Sequence, residues 1–103
     1  MASTEHYRDF LLEQLASLHE IDCRAMMGEY ILYYRGRVFG GIYDDRLLVK
    51  PIPAALTLLP DAPQELPYPG GKPMLLVTEV DDRAFLARLI AAMYPELPER
   101  KQR

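Results

Sequence analysis

Only one cysteine, Cys23, occurs among the 103 residues. No intrachain disulfide can form, and a thiol-dense metal site is excluded. Such sparing use of cysteine fits a reducing, cytosolic setting. The opening residues, Met1-Ala2-Ser3-Thr4-Glu5-His6, carry neither a basic start nor an apolar run, so they do not read as a secretory signal. Uninterrupted apolar stretches fall far short of the ~18 residues that suggest a membrane span. Positive charge is not in excess either. The formal net charge of -3 argues against binding nucleic acid through bulk charge, while leaving a local basic patch open. No internal repeat is visible. The two histidines, His6 and His19, stand thirteen positions apart, which is not the spacing of a metal-ligating pair. The expectation is a cytoplasmic protein with no metal and no cofactor.

Hydrophobic residues make up 50% of the chain, enough to argue against disorder throughout. A single domain of this length buries about 60–70% of the surface its unfolded chain exposes. The expected organisation is one domain over 1–95 and a charged, flexible tail over 96–103. Ser3 or Thr4 is placed to cap a first helix, whose stripe is Tyr7, Phe10, Leu11, Leu15 and Leu18, with Arg8, Asp9, Glu13 and Gln14 on the wetter side. Cys23–Met27 reads as a short strand leading into Gly28. Beyond Lys50 the chain is punctuated by proline. It is expected to form a short helix over Ala54–Leu59, loop over Asp61–Leu66, an edge strand at Leu66-Pro67-Tyr68 and a buried strand over Met74–Thr78. A last helix, capped near Asp81, carries the stripe Phe85, Leu86, Leu89, Ile90 and Met93 and ends at Pro95.

The central stretch from Arg24 to Lys50 is the most informative. Arg35-Gly36 and Asp44-Asp45 suit two-residue hairpin turns. The implied register pairs Tyr33 with Val38, Ile31 with Gly40, Ile42 with Leu47 and Gly40 with Val49. Side-chain alternation then places Ile31, Tyr33, Val38, Ile42, Leu47 and Val49 on a face covered by helices. The opposite face receives Tyr30, Leu32, Tyr34, Arg37, Phe39, Tyr43, Arg46, Leu48 and Lys50. Gly40-Gly41 lacks the frame of a phosphate loop and suggests a bulge or a close approach of another group. The element order is helix, three strands, short helix, two strands, helix. Helices on one face of an antiparallel sheet make a two-layer α+β domain with the other face open.

No catalytic set is recognisable, so a binding or regulatory module is expected rather than an enzyme. Cys23 beside Arg24 has a cation to favour thiolate but no identified base, and reads as a structural thiol. Asp44-Asp45 is explained by a hairpin tip and Asp81-Asp82 by a helix start. The candidate partner-binding set is Tyr30, Tyr34, Arg37, Phe39, Tyr43, Arg46 and Lys50. Such an aromatic, basic surface suits a protein partner or self-association into a homodimer. It also suits nucleic acid, by stacking bases and neutralising phosphates. A third reading has the proline-rich segment partly covering it, with Arg and Lys stems over the rings.

The run Arg24-x-Met26-Met27-Gly28-x-Tyr30-x-Leu32-Tyr33, followed by Gly36 and Phe39, Asp45-x-Leu47-x-Val49-Lys50 and Gly71-Lys72-Pro73-Met74, resembles the N-terminal domain of the TfoX/Sxy family. These bacterial proteins are linked to regulation of natural competence. Met27 and Glu29 depart from the Phe and Gly that many members carry there. The resemblance covers most of Cys23 to Val77. It implies an α-β-β-β-α-β-β-α two-layer sandwich similar to type III secretion chaperones, and a role in transcription regulation. Full-length regulators of this kind carry a second, helical domain. This chain stops at Arg103 without one, so a stand-alone domain is expected.

Overall fold

Three short turns set the sheet. The computed structural model describes residues 4–98. Within them, two-residue loops at Met27-Gly28, Arg35-Gly36 and Asp44-Asp45 join β1 (Ile21–Met26), β2 (Glu29–Tyr34), β3 (Arg37–Ile42) and β4 (Leu47–Val49). Both residues of every loop have positive φ, the mirror-image turn whose twist matches that of the flanking strands. Asp44-Asp45 adopts it without a glycine because neighbours hold it. The Asp44 N–H donates to Glu29 Oε1 at 3.1 Å, and Asp45 Oδ1 accepts from the Thr4 N–H at 2.9 Å.

That last bond ties the hairpin tip to the first helix, α1 (Glu5–Gln14), since Thr4 is also its cap. Thr4 Oγ1 accepts from the Tyr7 N–H at 3.1 Å. After β4 come α2 (Pro53–Leu58), β5 (Gln64–Glu65), β6 (Met74–Val77), α3 (Arg83–Met93) and a 3-10 turn over Tyr94–Glu96. The six strands lie antiparallel in the order β1-β2-β3-β4-β6-β5. Apolar residues of all three helices share one core with one face of this sheet. This is the α+β, two-layer arrangement expected from the sequence, with the Cys23–Met27 run realised as edge strand β1.

Several local expectations move. The second edge strand is Gln64–Glu65 rather than Leu66-Pro67-Tyr68, because Pro67 has no N–H to extend the ladder. Asp82, not Asp81, caps α3 by accepting from the Phe85 N–H at 3.0 Å. Gln14, expected toward water, is buried. Its amide donates to the Val80 carbonyl at 2.9 Å and accepts from Arg83 Nε at 3.2 Å, tying α1 to the start of α3. The expected tail is packed at its beginning: Glu96 accepts from the Ala54 N–H at 2.8 Å, and Leu97 joins the core. Residues 99–103 of that tail lie outside the described residues.

The largest difference concerns which face the strands present. Tyr33 opposes Val38, Ile42 opposes Leu47 and Gly40 opposes Val49, as alternation predicts. Gly40, however, opposes Leu32 and not Ile31, because the register shifts by one residue and leaves Phe39 as the extra residue of a β-bulge. One inserted residue reverses the phase between Val38 and Ile42. Tyr30, Leu32 and Phe39 therefore lie in the helix-side core with Ile42, Leu47 and Val49. Ile31, Tyr33 and Val38 turn to the other side, half-exposed. The glycines permit this. A Cβ on Gly40 would run into the Leu48 carbonyl and come 2.9 Å from Val49 Cα.

Candidate functional site

The seven residues singled out in the sequence do not share one surface. Phe39 is wholly buried and Tyr30 nearly so, beneath the helices. The Arg8 guanidinium lies 5.4 Å from the centre of the Tyr30 ring. Tyr34 is half-buried on the same side, edge-on to Tyr94 with ring centres 5.4 Å apart. Arg37 also points to the helix layer. It lies 4.4 Å over the Tyr94 ring and donates to the Tyr94 and Leu97 carbonyls at 3.2 and 3.3 Å. These carbonyls follow α3, where an unsatisfied helix end favours a cation. The expected open face made of Tyr30, Tyr34, Arg37 and Phe39 is therefore corrected. All four belong to the helix side, for the single reason of the bulge.

Tyr43, Arg46 and Lys50 are placed differently. Tyr43 is outside the helix-side core yet only 7% exposed. It is covered by the proline-rich segment, whose Tyr68 ring centre is 6.2 Å from its own. Gly41 allows the ring to lie flat on the strand, for a Cβ there would sit 2.7 Å from Tyr43 Cε2. Burial pushes the Tyr43 hydroxyl pKa up, with Tyr68 and Glu29 adding to the rise. Arg46 holds the cover down. It donates from Nε to the Tyr43 carbonyl at 3.0 Å and from the second guanidinium nitrogen to the Leu66 carbonyl at 3.3 Å, and it pairs with Glu65. The cover foreseen as one of three readings of this face is met at Tyr43 and Arg46.

What remains accessible is a groove along the border of that cover. A hollow of about 610 Å³ is lined by Val38, Tyr43, Lys50, Tyr68, Lys72 and Met74, among others. Its floor is strand and its rim is the proline-rich turn. Beside it, Ile31 and Tyr33 continue the helix-free face toward β1, where the Arg24 guanidinium lies 5.7 Å from the Tyr33 ring centre. Tyr43 and Lys50 are thus the members of the expected set that the fold brings to one accessible place. Sequence alternation assigned Ile31, Tyr33 and Val38 to the core, and Tyr68, Lys72 and Met74 read there as strand or motif residues with no part in a contact surface. Gly40-Gly41 was the signal that could have found them.

The chemistry available here is contact chemistry. An apolar strip with two lysines can hold an apolar side chain and attract carboxylates, but no nucleophile–base pair is assembled in it. Cys23 lies across the sheet, in a separate hollow with Arg8, Asp9 and Tyr30. Burial raises its thiol pKa more than Arg8 lowers it. Among the described residues, no group of three or more His, Cys, Asp or Glu is arranged to hold a metal ion, and no helix is long and apolar enough to cross a membrane.

Comparison with known proteins adds the family. The family model of the TfoX N-terminal domain matches residues 13–94. An uncharacterized 12.7 kDa protein in the trpE 5' region of Spirochaeta aurantia is 31% identical, over 98% of this chain and 91% of that protein. No solved structure matches the chain significantly. Because the match spans all six strands together with α2 and α3, the chain belongs to the TfoX N-terminal domain family.

Proposed function

We propose that this competence-regulator-type domain is a non-enzymatic, regulatory protein-interaction module, and that its partner docks in the groove between β3 and the proline-rich turn. The observation that carries this reading is the helix-free side of the sheet. There, half-exposed Ile31, Tyr33 and Val38 lead into a hollow whose rim carries Lys50 and Lys72. Aromatic and aliphatic anchors ringed by cations suit a partner segment with an apolar side chain flanked by acidic residues. A contiguous apolar surface beside a preformed hollow is typical of an interaction site.

The nucleic-acid alternative has less to stand on. Its stacking platform needs Phe39 and Tyr30, which are buried, and its phosphate contacts need Arg37 and Arg46, which are engaged with backbone carbonyls and Glu65. Selection of a displayed random-peptide library against the purified protein tests the proposal. The enriched peptides should combine an aromatic or aliphatic anchor with acidic residues. They should lose binding to Val38→Glu and to the double variant Lys50→Glu/Lys72→Glu. Enrichment of peptides indifferent to both variants, or of none, overturns the groove as the docking site.

A further inference from the structure

The two edges of the sheet are treated differently. At one edge β5 has two residues, Gln64 and Glu65, with Pro63 before them and Pro67 soon after, a short and proline-bounded edge that resists pairing. At the other edge β1 runs for six residues, Ile21–Met26, with no proline and no bulge. Four of the six, Asp22, Arg24, Ala25 and Met26, are exposed. Hydrogen bonding alternates along an antiparallel pair. The two-residue turn after Met26 makes Met26 and Glu29 a hydrogen-bonded pair, and the Arg35 N–H donates to the Glu20 carbonyl at 3.0 Å. Residues 20, 22, 24 and 26 therefore bond inward to β2. The N–H and C=O groups of Ile21, Cys23 and Ala25 face outward from the sheet.

We propose that this bare edge pairs with β1 of a second copy of the chain, antiparallel and with Cys23 opposite Cys23, so that the two sheets run on as one. The register follows from charge. Outward-facing odd residues must pair with odd residues, which leaves three central alignments about a two-fold axis. Centring on Asp22 sets carboxylate against carboxylate, and centring on Arg24 sets guanidinium against guanidinium. Like charges directly opposite are unfavourable. Centring on Cys23 sets Asp22 against Arg24 twice, once on each side of the axis, on the helix-free face. On the helix face the same alignment brings Cys23 against Cys23 on the axis, with Ile21 against the small Ala25 on either side of it, at the junction where two helix layers meet. A two-fold axis requires such self-complementarity, and this strand has it in one register. The pairing uses the strand edge and not the groove, so it stands or falls apart from the docking reading above.

Light scattering during size exclusion measures the mass, and Cys23 reports the register. Opposed residues of a hydrogen-bonded pair sit about 5.5 Å apart at Cα, within reach of a disulfide. The oxidant diamide, taking one hydrogen from each thiol, should link the two copies into a covalent dimer on a non-reducing gel. Asp22→Arg should weaken the dimer by about tenfold or more, because two attractive pairs become repulsive. The double variant Asp22→Arg/Arg24→Asp should restore it by exchanging the charges. Ala25→Pro should abolish it while leaving the circular dichroism unchanged, since the N–H it removes faces away from β2. A monomer at high concentration overturns the proposal. So does a dimer that neither cross-links through Cys23 nor responds to Asp22→Arg, whatever the fate of Ala25→Pro.

Discussion

Tyr33 and Phe39 carry rings of similar size six positions apart, and truncating them should have unequal consequences. Phe39 is wholly buried against the helices, so Phe39→Ala should cost about 3–5 kcal/mol, as large-to-small changes in a core do. Tyr33 is half-exposed on the free face, so Tyr33→Ala should cost no more than about 1 kcal/mol. Urea denaturation of both variants measures the difference, and the reverse ranking would restore the face assignment that unbroken alternation predicts. Gly41 is the third residue of this set. A Cβ there lies 2.6 Å from the Tyr30 carbonyl oxygen as well as against the Tyr43 ring. Gly41→Ala should destabilise by about 1–3 kcal/mol through overpacking, read in the same assay.

Among the elements, the proline-rich segment owes its position to side chains rather than to a ladder. β5 contributes two residues of pairing, and beyond it the segment is held by Arg46, by the Tyr43–Tyr68 contact and by its own turn, where the Gly71 N–H donates to the Tyr68 carbonyl at 2.9 Å. Arg46→Ala removes the clamp. Amide hydrogen exchange should accelerate over Leu66–Gly71 while the amides of α1 and α3 keep their protection, and global stability should fall by about 1–2 kcal/mol. Arg37 does the corresponding work at the end of α3. Arg37→Ala strands the Tyr94 and Leu97 carbonyls and should cost about 1.5–3 kcal/mol, since these are hydrogen bonds from a charged donor.

For the molecule as a whole, burial of three weak acids links stability to alkaline pH. Tyr7, Tyr43 and Cys23 all have raised pKa values, with burial the leading cause in each. Each keeps its proton more tightly in the folded state than in the unfolded one. Their contribution is therefore complete below the ordinary values of 10.0 for tyrosine and 9.0 for cysteine, and it is lost as pH rises through the folded ones. The urea midpoint should hold steady around neutrality and decline above about pH 9, and Tyr43→Phe should flatten that decline. A midpoint that rises with alkalinity would contradict the burial of these hydroxyls.

Much of this architecture was legible because it rests on local chemistry. Helix stripes at three- and four-residue spacing, Thr4 as a cap, and the Arg35-Gly36 and Asp44-Asp45 turns each depend on residues within a few positions of one another. Each is found where those local preferences place it, except that α1 ends before Leu18 and buries Gln14. The accessible groove was not legible in the same way. Gly40-Gly41 announced either a bulge or a close approach, and both occur there, but the residue left unpaired is fixed by what lies across the strand. Phe39 can be the extra residue because Leu32 and Val49 hold Gly40 between them and the helix layer takes the ring. The amino-acid order by itself determined the helices, the central hairpins and their sequence along the chain, through short-range capping, turn and stripe preferences, while the short edge strand β5 waited on its pairing with β6. Which face of the sheet carries which rings was decided only by the tertiary structure, because strand phase is a long-range property that one inserted residue inverts.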